Sequence, residues 1–202
     1  MAKRRNPHLH GAILHRSRVV LLLVDVINAM DFPTGDKLAR HALPAAARIA
    51  RLRERAHIAR VPVIYANDNF GRWRSDFRAT IMNAQRPEMP GSEIAKLLEP
   101  NEHDYFVLKP KHSAFYGTSL DLLLSYFDAE CVVVAGFAGD ICVRFTAQDA
   151  FLRDFSVVVP ADAIASEEAA SNTAALQFMR ERLSVRTPPS RRIDFRALAR
   201  RR

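Results

Sequence analysis

Six consecutive apolar residues, Val19-Val-Leu-Leu-Leu-Val24, run directly into a carboxylate, Asp25. A strand with one wet face alternates apolar and polar side chains. An unbroken run reads instead as a strand buried on both faces, which requires a parallel sheet covered by helices above and below. The run is far too short to span a bilayer. Cys131-Val-Val-Val-Ala135 has the same character.

The rest of the chain alternates strand and helix around these two runs. Helical spacing of Leu38, Leu43, Ile49, Leu52 and Ala56 predicts a helix over 37–59. Val61-Pro-Val-Ile-Tyr65 reads as a second strand. Residues 66–90 form a polar and aromatic excursion with one short helix, and a helix near 91–98 leads to a third strand, Tyr105-Phe-Val-Leu108. Thr118 is placed to cap a helix over 119–127. After the Cys131 strand come a helix over 142–153, a strand Ser156-Val-Val-Val159, a helix over 167–182 and a sixth, edge strand from Leu183 to Arg186. Such alternation predicts right-handed βαβ units and a three-layer α/β/α domain, with a mostly parallel sheet of about six strands of the Rossmann-like kind. Neither a repeat nor a linker is visible, so residues 19–187 are expected to form one domain.

The formal charge of +8 sits outside that domain. Residues 1–18 carry +5 and residues 182–202 carry +7, which leaves −4 for 19–181. The two ends are therefore expected to be a basic N-terminal segment, 1–18, and an Arg-rich C-terminal tail, 188–202, both solvated. No aromatic interleaving accompanies the arginines, so specific nucleic-acid binding is not expected. The basic N-terminus is not followed by a signal-peptide core, and a cytoplasmic protein with no membrane association is expected. Two cysteines, Cys131 and Cys142, suggest no disulfide framework.

Ligands of open parallel sheets bind beyond the carboxyl ends of the strands. Strand one ends in Asp25, strand two in Asn67-Asp-Asn69, strand three in Lys109, and strand four in Gly136-Phe-Ala-Gly-Asp-Ile-Cys142. An acid, a base and a thiol thus emerge on one rim. Cys142 is expected at a helix N-terminus, where the dipole and unpaired N–H groups favour the reactive thiolate. The alternative is a small buried hydrophobe, the usual fate of a free cysteine. Asp25 suits a partly buried general base, and Lys109 would keep it ionised; each alone could equally be a surface ion-pair partner.

Three segments together resemble the isochorismatase-like cysteine hydrolases, a family that includes nicotinamidases, carbamoylsarcosine amidases and isochorismatases. They are Leu21-Leu-Leu-Val-Asp25, Val107-Leu-Lys-Pro-Lys-His-Ser-Ala-Phe-Tyr-Gly-Thr118 and Val134-Ala-Gly-Phe-Ala-Gly-Asp-Ile-Cys-Val-Arg-Phe-Thr-Ala-Gln-Asp-Ala150. The resemblance implies a catalytic triad of Asp25, Lys109 and Cys142, with Lys109 preferred over Lys111. It also implies a cis peptide at Phe137–Ala138 and an oxyanion hole made by the Ala138 and Cys142 N–H groups. The implied activity is hydrolysis of a small amide, ureido or imide C–N bond through a thioester. The alternatives are a non-amide substrate or a binding protein that retains the fold.

Two departures shape the expected pocket. Ile27 stands where many members have glutamine, and the stretch Asn67-Asp-Asn-Phe-Gly-Arg-Trp-Arg74 lacks the histidine of the nicotinamidase metal site. No metal or other cofactor is therefore expected. Candidate pocket residues are Phe32, Asn69, Phe70, Trp73, Tyr116 and Phe137. Asp149 and Asp162 are expected to be structural hydrogen-bond partners. A small-molecule substrate and a homo-oligomer, dimer or tetramer, complete the expectation. A nucleotide-binding reading is disfavoured because no glycine-rich loop follows strand one.

Overall fold

The computed structural model describes residues 16–69, 71 and 76–200. The chain runs β1 (Val19–Val24), α1 (Gly35–Ile58), β2 (Val63–Asp68), α2 (Phe77–Ala84), α3 (Ser92–Leu97), β3 (Tyr105–Lys109), α4 (Leu120–Phe127), β4 (Cys131–Phe137), α5 (Arg144–Phe151), β5 (Ser156–Val158), β6 (Ile164–Ala165), α6 (Ala169–Leu183) and α7 (Phe195–Arg200). A π-helical turn, Gly139–Val143, joins β4 to α5. The sheet has six strands in the order β3-β2-β1-β4-β5, with β6 paired to the end of β4. Every paired strand is parallel to its neighbour.

The register explains the unbroken apolar run. Val19, Leu21 and Leu23 pack into one core with α1, while Val20, Leu22 and Val24 pack into a second core with α4, α5 and α6. Alternate side chains enter different apolar layers, so no position tolerates a polar group until the strand ends. Asp25 is where it ends. Its φ of 52° is left-handed, and its N–H still donates to Ala66 O at 2.9 Å. β1 and β4 are neighbours from which the chain proceeds in opposite directions across the sheet. Their carboxyl ends therefore form the topological switch point, the natural crevice of such a sheet. Close approach at that point excludes a side chain at Gly136. Its φ is 130°, and an added Cβ would lie 2.0 Å from Val24 O.

Two expectations are corrected. The edge strand expected from Leu183 to Arg186 does not form: Leu183 ends α6, Ser184 turns left-handed, and Arg186 makes only an isolated bridge to Val158. The sixth strand is β6, whose two residues are too few to show periodicity in the sequence. The segment 188–202, expected as a solvated tail, folds onto the domain through Arg200. Ile193, Phe195 and Leu198 enter the α1-side core. Arg55 donates to Ser190 O at 2.7 Å and Ile193 O at 3.1 Å, Arg18 donates to Ala199 O at 3.0 Å, and Asp162 accepts from Ser190 N at 2.6 Å. The arginine count hid three well-spaced apolar side chains. Of the N-terminal segment 1–18, residues 1–15 lie outside the described residues, while Ser17 N donates to Phe127 O at 2.7 Å. No described helix is long and apolar enough to cross a membrane.

If the C-terminal segment belongs to the fold, Phe195→Ala will lower unfolding stability by about 3 kcal/mol in urea melts, the usual cost of emptying a buried phenyl site. A solvated tail would give no measurable change.

Candidate active site

Lys109 is the last residue of β3, and its side chain is fully buried, with 0% of its surface exposed. An ammonium without water must find its partners in the protein. Nζ lies 2.8 Å from Asp25 Oδ2 and 3.3 Å from Asp68 Oδ2, and it donates to Lys111 O at 3.2 Å. It also approaches Cys142 Sγ at 3.7 Å. β2 lies between β3 and β1, so Lys109 reaches across one strand to Asp25. The intervening strand contributes twice: Asp68 N–H donates to Asp25 Oδ1 at 2.7 Å, and the Asp68 carboxylate faces the ammonium.

Cys142 lies in the π-helical turn directly after the cis peptide Phe137–Ala138. The turn is held from behind by α6 and the residues before it. Ser166 Oγ accepts from Asp140 N–H at 3.1 Å and donates to Asn172 Oδ1 at 3.1 Å. A Cβ at Gly139 would lie 2.3 Å from Asn172 Oδ1, so only glycine lets the turn sit this close. Asp25 is near enough to the Cys142 thiol to act on it electrostatically.

The electrostatics differ from those expected of a helix N-terminus. Burial, and then the negative Asp25 beside it, push the Cys142 thiol up to about 12, against a smaller pull from Lys109. A helix opening at Cys142 would place the sulfur on its dipole; α5 begins two residues later, and desolvation next to a carboxylate wins. Burial also pushes Asp25 up, offset in part by Lys109 and by the Asp68 N–H. For Lys109, burial works downward, but Asp25, Cys142 and Asp68 outweigh it and the net direction is up. With Nζ 2.8 Å from Oδ2, the arrangement is an ammonium, a carboxylate of enhanced basicity and a neutral thiol beside it. Such a cluster can pass a proton from sulfur to carboxylate without calling on solvent.

The other candidates separate. Asn69 is buried just past β2, its N–H donating to Lys109 O at the end of β3 at 3.1 Å and its Oδ1 accepting from Gly71 N at 2.9 Å. Phe32 is half-buried and packs on the α1-side core. Tyr116 is 61% exposed. Phe137 is corrected: its side chain is 0% exposed within the α1-side core, so it cannot line a pocket. Phe70 and Trp73 lie outside the described residues. Asp149 takes the structural role expected of it, accepting from Ser113 Oγ at 2.5 Å. The sequence argument gave no role to two residues that the geometry brings in. Asp68 was visible as a strand-end acid, and His112, with Nδ1 3.8 Å from Cys142 Sγ, as the third residue after Lys109. No cluster of three or more potential metal ligands occurs among the described residues.

The isochorismatase domain description matches residues 19–187. An uncharacterized isochorismatase family protein of Bacillus subtilis, YaaI, is 38% identical over 159 residues, 79% of this chain and 87% of that protein. Ureidoacrylate amidohydrolase RutB of Methylobacterium radiotolerans is 30% identical over 170 residues, 71% of this chain and 65% of that protein. The chain thus spans slightly under two thirds of that relative. Among solved structures, N-carbamoylsarcosine amidase from Thermoplasma acidophilum aligns with a TM-score of 0.66 at 26% identity, covering 88% of this chain and 99% of that one.

Two predictions follow from the buried charges. Lys109→Met strands the Asp25 carboxylate and should cost about 3–5 kcal/mol of stability, while the double variant with Asp25→Asn should recover much of that loss. Calorimetry of the two single variants and the double variant checks this; additive losses would contradict it. The thiol supplies the second. Its folded value is raised, so its contribution is complete below the unfolded thiol's pKa, roughly 8.5, and is lost as pH rises toward about 12. Between roughly pH 8.5 and 10.5 the urea midpoint of the wild type should therefore fall more steeply than that of Cys142→Ala. Parallel slopes would show that the thiol is not perturbed.

Proposed function

The chain belongs to the isochorismatase family of hydrolases, and from that premise we propose that it is a cysteine amidohydrolase that cleaves a small ureido, amide or imide C–N bond through a thioester. The observation that carries the reading is the convergence on one sulfur of a basic buried carboxylate and an ammonium, delivered from three different strand ends.

In this mechanism Asp25 takes the Cys142 proton as the sulfur attacks the carbonyl carbon. The carbonyl π pair moves to oxygen, and the Ala138 and Cys142 N–H groups receive the oxyanion. When the tetrahedral adduct collapses, the C–N bond breaks and the Asp25 proton passes to the departing nitrogen, which leaves as ammonia or an amine. Asp25, again a carboxylate, then deprotonates a water that attacks the thioester. The acid departs, the thiolate regains its proton from Asp25, and the site returns to its starting state. Lys109 holds Asp25 in place throughout and offsets the negative charge of the thiolate.

The names of two relatives, ureidoacrylate amidohydrolase and N-carbamoylsarcosine amidase, favour a ureido or carbamoyl group as the site of cleavage. Phe32, Asn69 and Tyr116 are proposed as pocket residues, together with Phe70 and Trp73, from their places near strand ends in the sequence. The reading needs no metal ligand and gives Asp68 to Lys109 instead.

Intact-mass spectrometry after incubation with a pool of small ureides, amides and imides should show an acyl adduct on the wild type and none on Cys142→Ala. Turnover of the compound so identified should fall at least about 10³-fold in that variant. Turnover that survives the substitution would end the mechanism.

A further inference from the structure

The Cys142 sulfur has a neighbour that the Asp25–Lys109 pair does not account for. His112 lies on the exposed side of the site, with Nδ1 3.8 Å from Sγ, while Lys109 Nζ approaches from the buried side at 3.7 Å. The imidazole is held in place. Its ring stacks on Phe145 with centroids 5.7 Å apart and planes inclined by 26°. The next two residues are tied down as well: Ser113 Oγ donates to Asp149 at 2.5 Å, and Ala114 N–H donates to Thr146 Oγ1 at 3.0 Å. All three anchors are on α5, the helix that continues from the Cys142 turn. Imidazole and sulfur therefore ride on one packed unit.

Hydrogen counting gives the direction of the contact. The thiol has one proton, and in the mechanism proposed above it passes to Asp25. A bond between Sγ and Nδ1 must then use a hydrogen on Nδ1, donated to a sulfur lone pair. We propose that His112 is a further catalytic residue, whose Nδ1–H stabilises the Cys142 thiolate from the exposed side as the thiol proton passes to Asp25. The charges around the sulfur show why a second donor is useful. Asp25 and Asp68 bring two carboxylates from β1 and β2, and Lys109 brings one ammonium from β3. Lys111 precedes His112, Arg144 begins α5 and Asp140 shares the Cys142 turn. Arg144 lies over the rings of Phe145 and Phe178, 5.5 and 5.6 Å from their centroids. Among the described residues, Lys109 and His112 are the side chains whose nitrogens contact the sulfur within 4 Å. A hydrogen bond to a charged acceptor is stronger than one to a neutral acceptor, so the His112 contact favours the thiolate over the thiol.

The catalytic meaning rests on Cys142 being the nucleophile, but the test reads the sulfur itself. Alkylation of Cys142 by iodoacetamide is followed against pH by peptide-resolved mass spectrometry, on the full chain, for wild type, His112→Phe and His112→Asn. Phenylalanine keeps a ring for Phe145 and removes the donor; asparagine returns an N–H close to the position of Nδ1. The profile of His112→Phe should move upward by about one pH unit, so that alkylation at a fixed pH below the midpoint is roughly tenfold slower. His112→Asn should stay within about threefold of wild type. A His112→Phe profile that overlies the wild type overturns the proposal, and so does a His112→Asn profile displaced as far as that of His112→Phe, since ring packing would then be the cause. No substrate is involved, so an inert pool of ureides and amides would count against the amidohydrolase reading and leave this result intact.

Discussion

The buried ion pair between Lys109 and Asp25 is the constraint around which the rim is organised. An ammonium with no exposed surface is tolerable only if its hydrogen-bonding capacity is met inside the protein. Here that means two carboxylates and a backbone oxygen, at 2.8, 3.3 and 3.2 Å. Those partners come from the ends of β1 and β2 and from the turn after β3, the strand that carries Lys109. The pair is therefore possible only in this register, in which Asp68 lies opposite Lys109 and Val24 opposite Ala66. A one-residue slip of β3 would send Lys109 to the other face of the sheet and leave two acids without a cation. Sheet register and site chemistry are in this sense one requirement.

The second half of the site depends on a close approach of backbone. β4 must pass β1 so tightly that Gly136 sits against Val24 O, and the following turn must sit against Asn172 and Ser166 through Gly139. That packing delivers the thiol to the carboxylate and also desolvates it. Helix-dipole reasoning describes a sulfur at the mouth of a helix facing water. The sulfur here is partly covered and touches a negative group, so burial and Coulomb repulsion both favour the protonated thiol. In the proposed mechanism, reactivity therefore comes from a poised base and not from a standing thiolate.

Much of this was legible in the sequence, for identifiable reasons. The runs at Val19 and Cys131 are buried on both faces, and two-sided burial leaves an unbroken apolar signature. Asp25 and Lys109 are conspicuous as charges that interrupt apolar strands, and the segments around them and Cys142 are long enough to be specific together. The misreadings share a different cause. β6 is too short to have a period. The C-terminal helix α7 hides Phe195 and Leu198 among arginines that face water, so net charge suggested a tail where spacing held a docked helix. Phe137 looked like a pocket aromatic from its place at a strand end, yet the side chain of a strand residue enters one core or the other, and this one points into the α1 layer. His112 stands three residues after Lys109, but its contact with Cys142, thirty positions away, is not written in the sequence.

The charge balance of the cluster gives the physical reason for its composition. Asp25, Asp68 and Lys109 together carry one net negative charge while the thiol is neutral. Releasing the thiol proton to solvent would raise that to two in a poorly hydrated place, which is the meaning of a thiol pushed up to about 12. Passing the proton to Asp25 leaves the total unchanged. The proton moves within a coupled set whose titration belongs to the group and not to any one member. Burial has also made Asp25 more basic, which narrows the gap between donor and acceptor from the other side. In the proposed mechanism, the same desolvation that suppresses a free thiolate favours an internal transfer timed to the arrival of a carbonyl, and each N–H on the sulfur would lower what remains of the barrier.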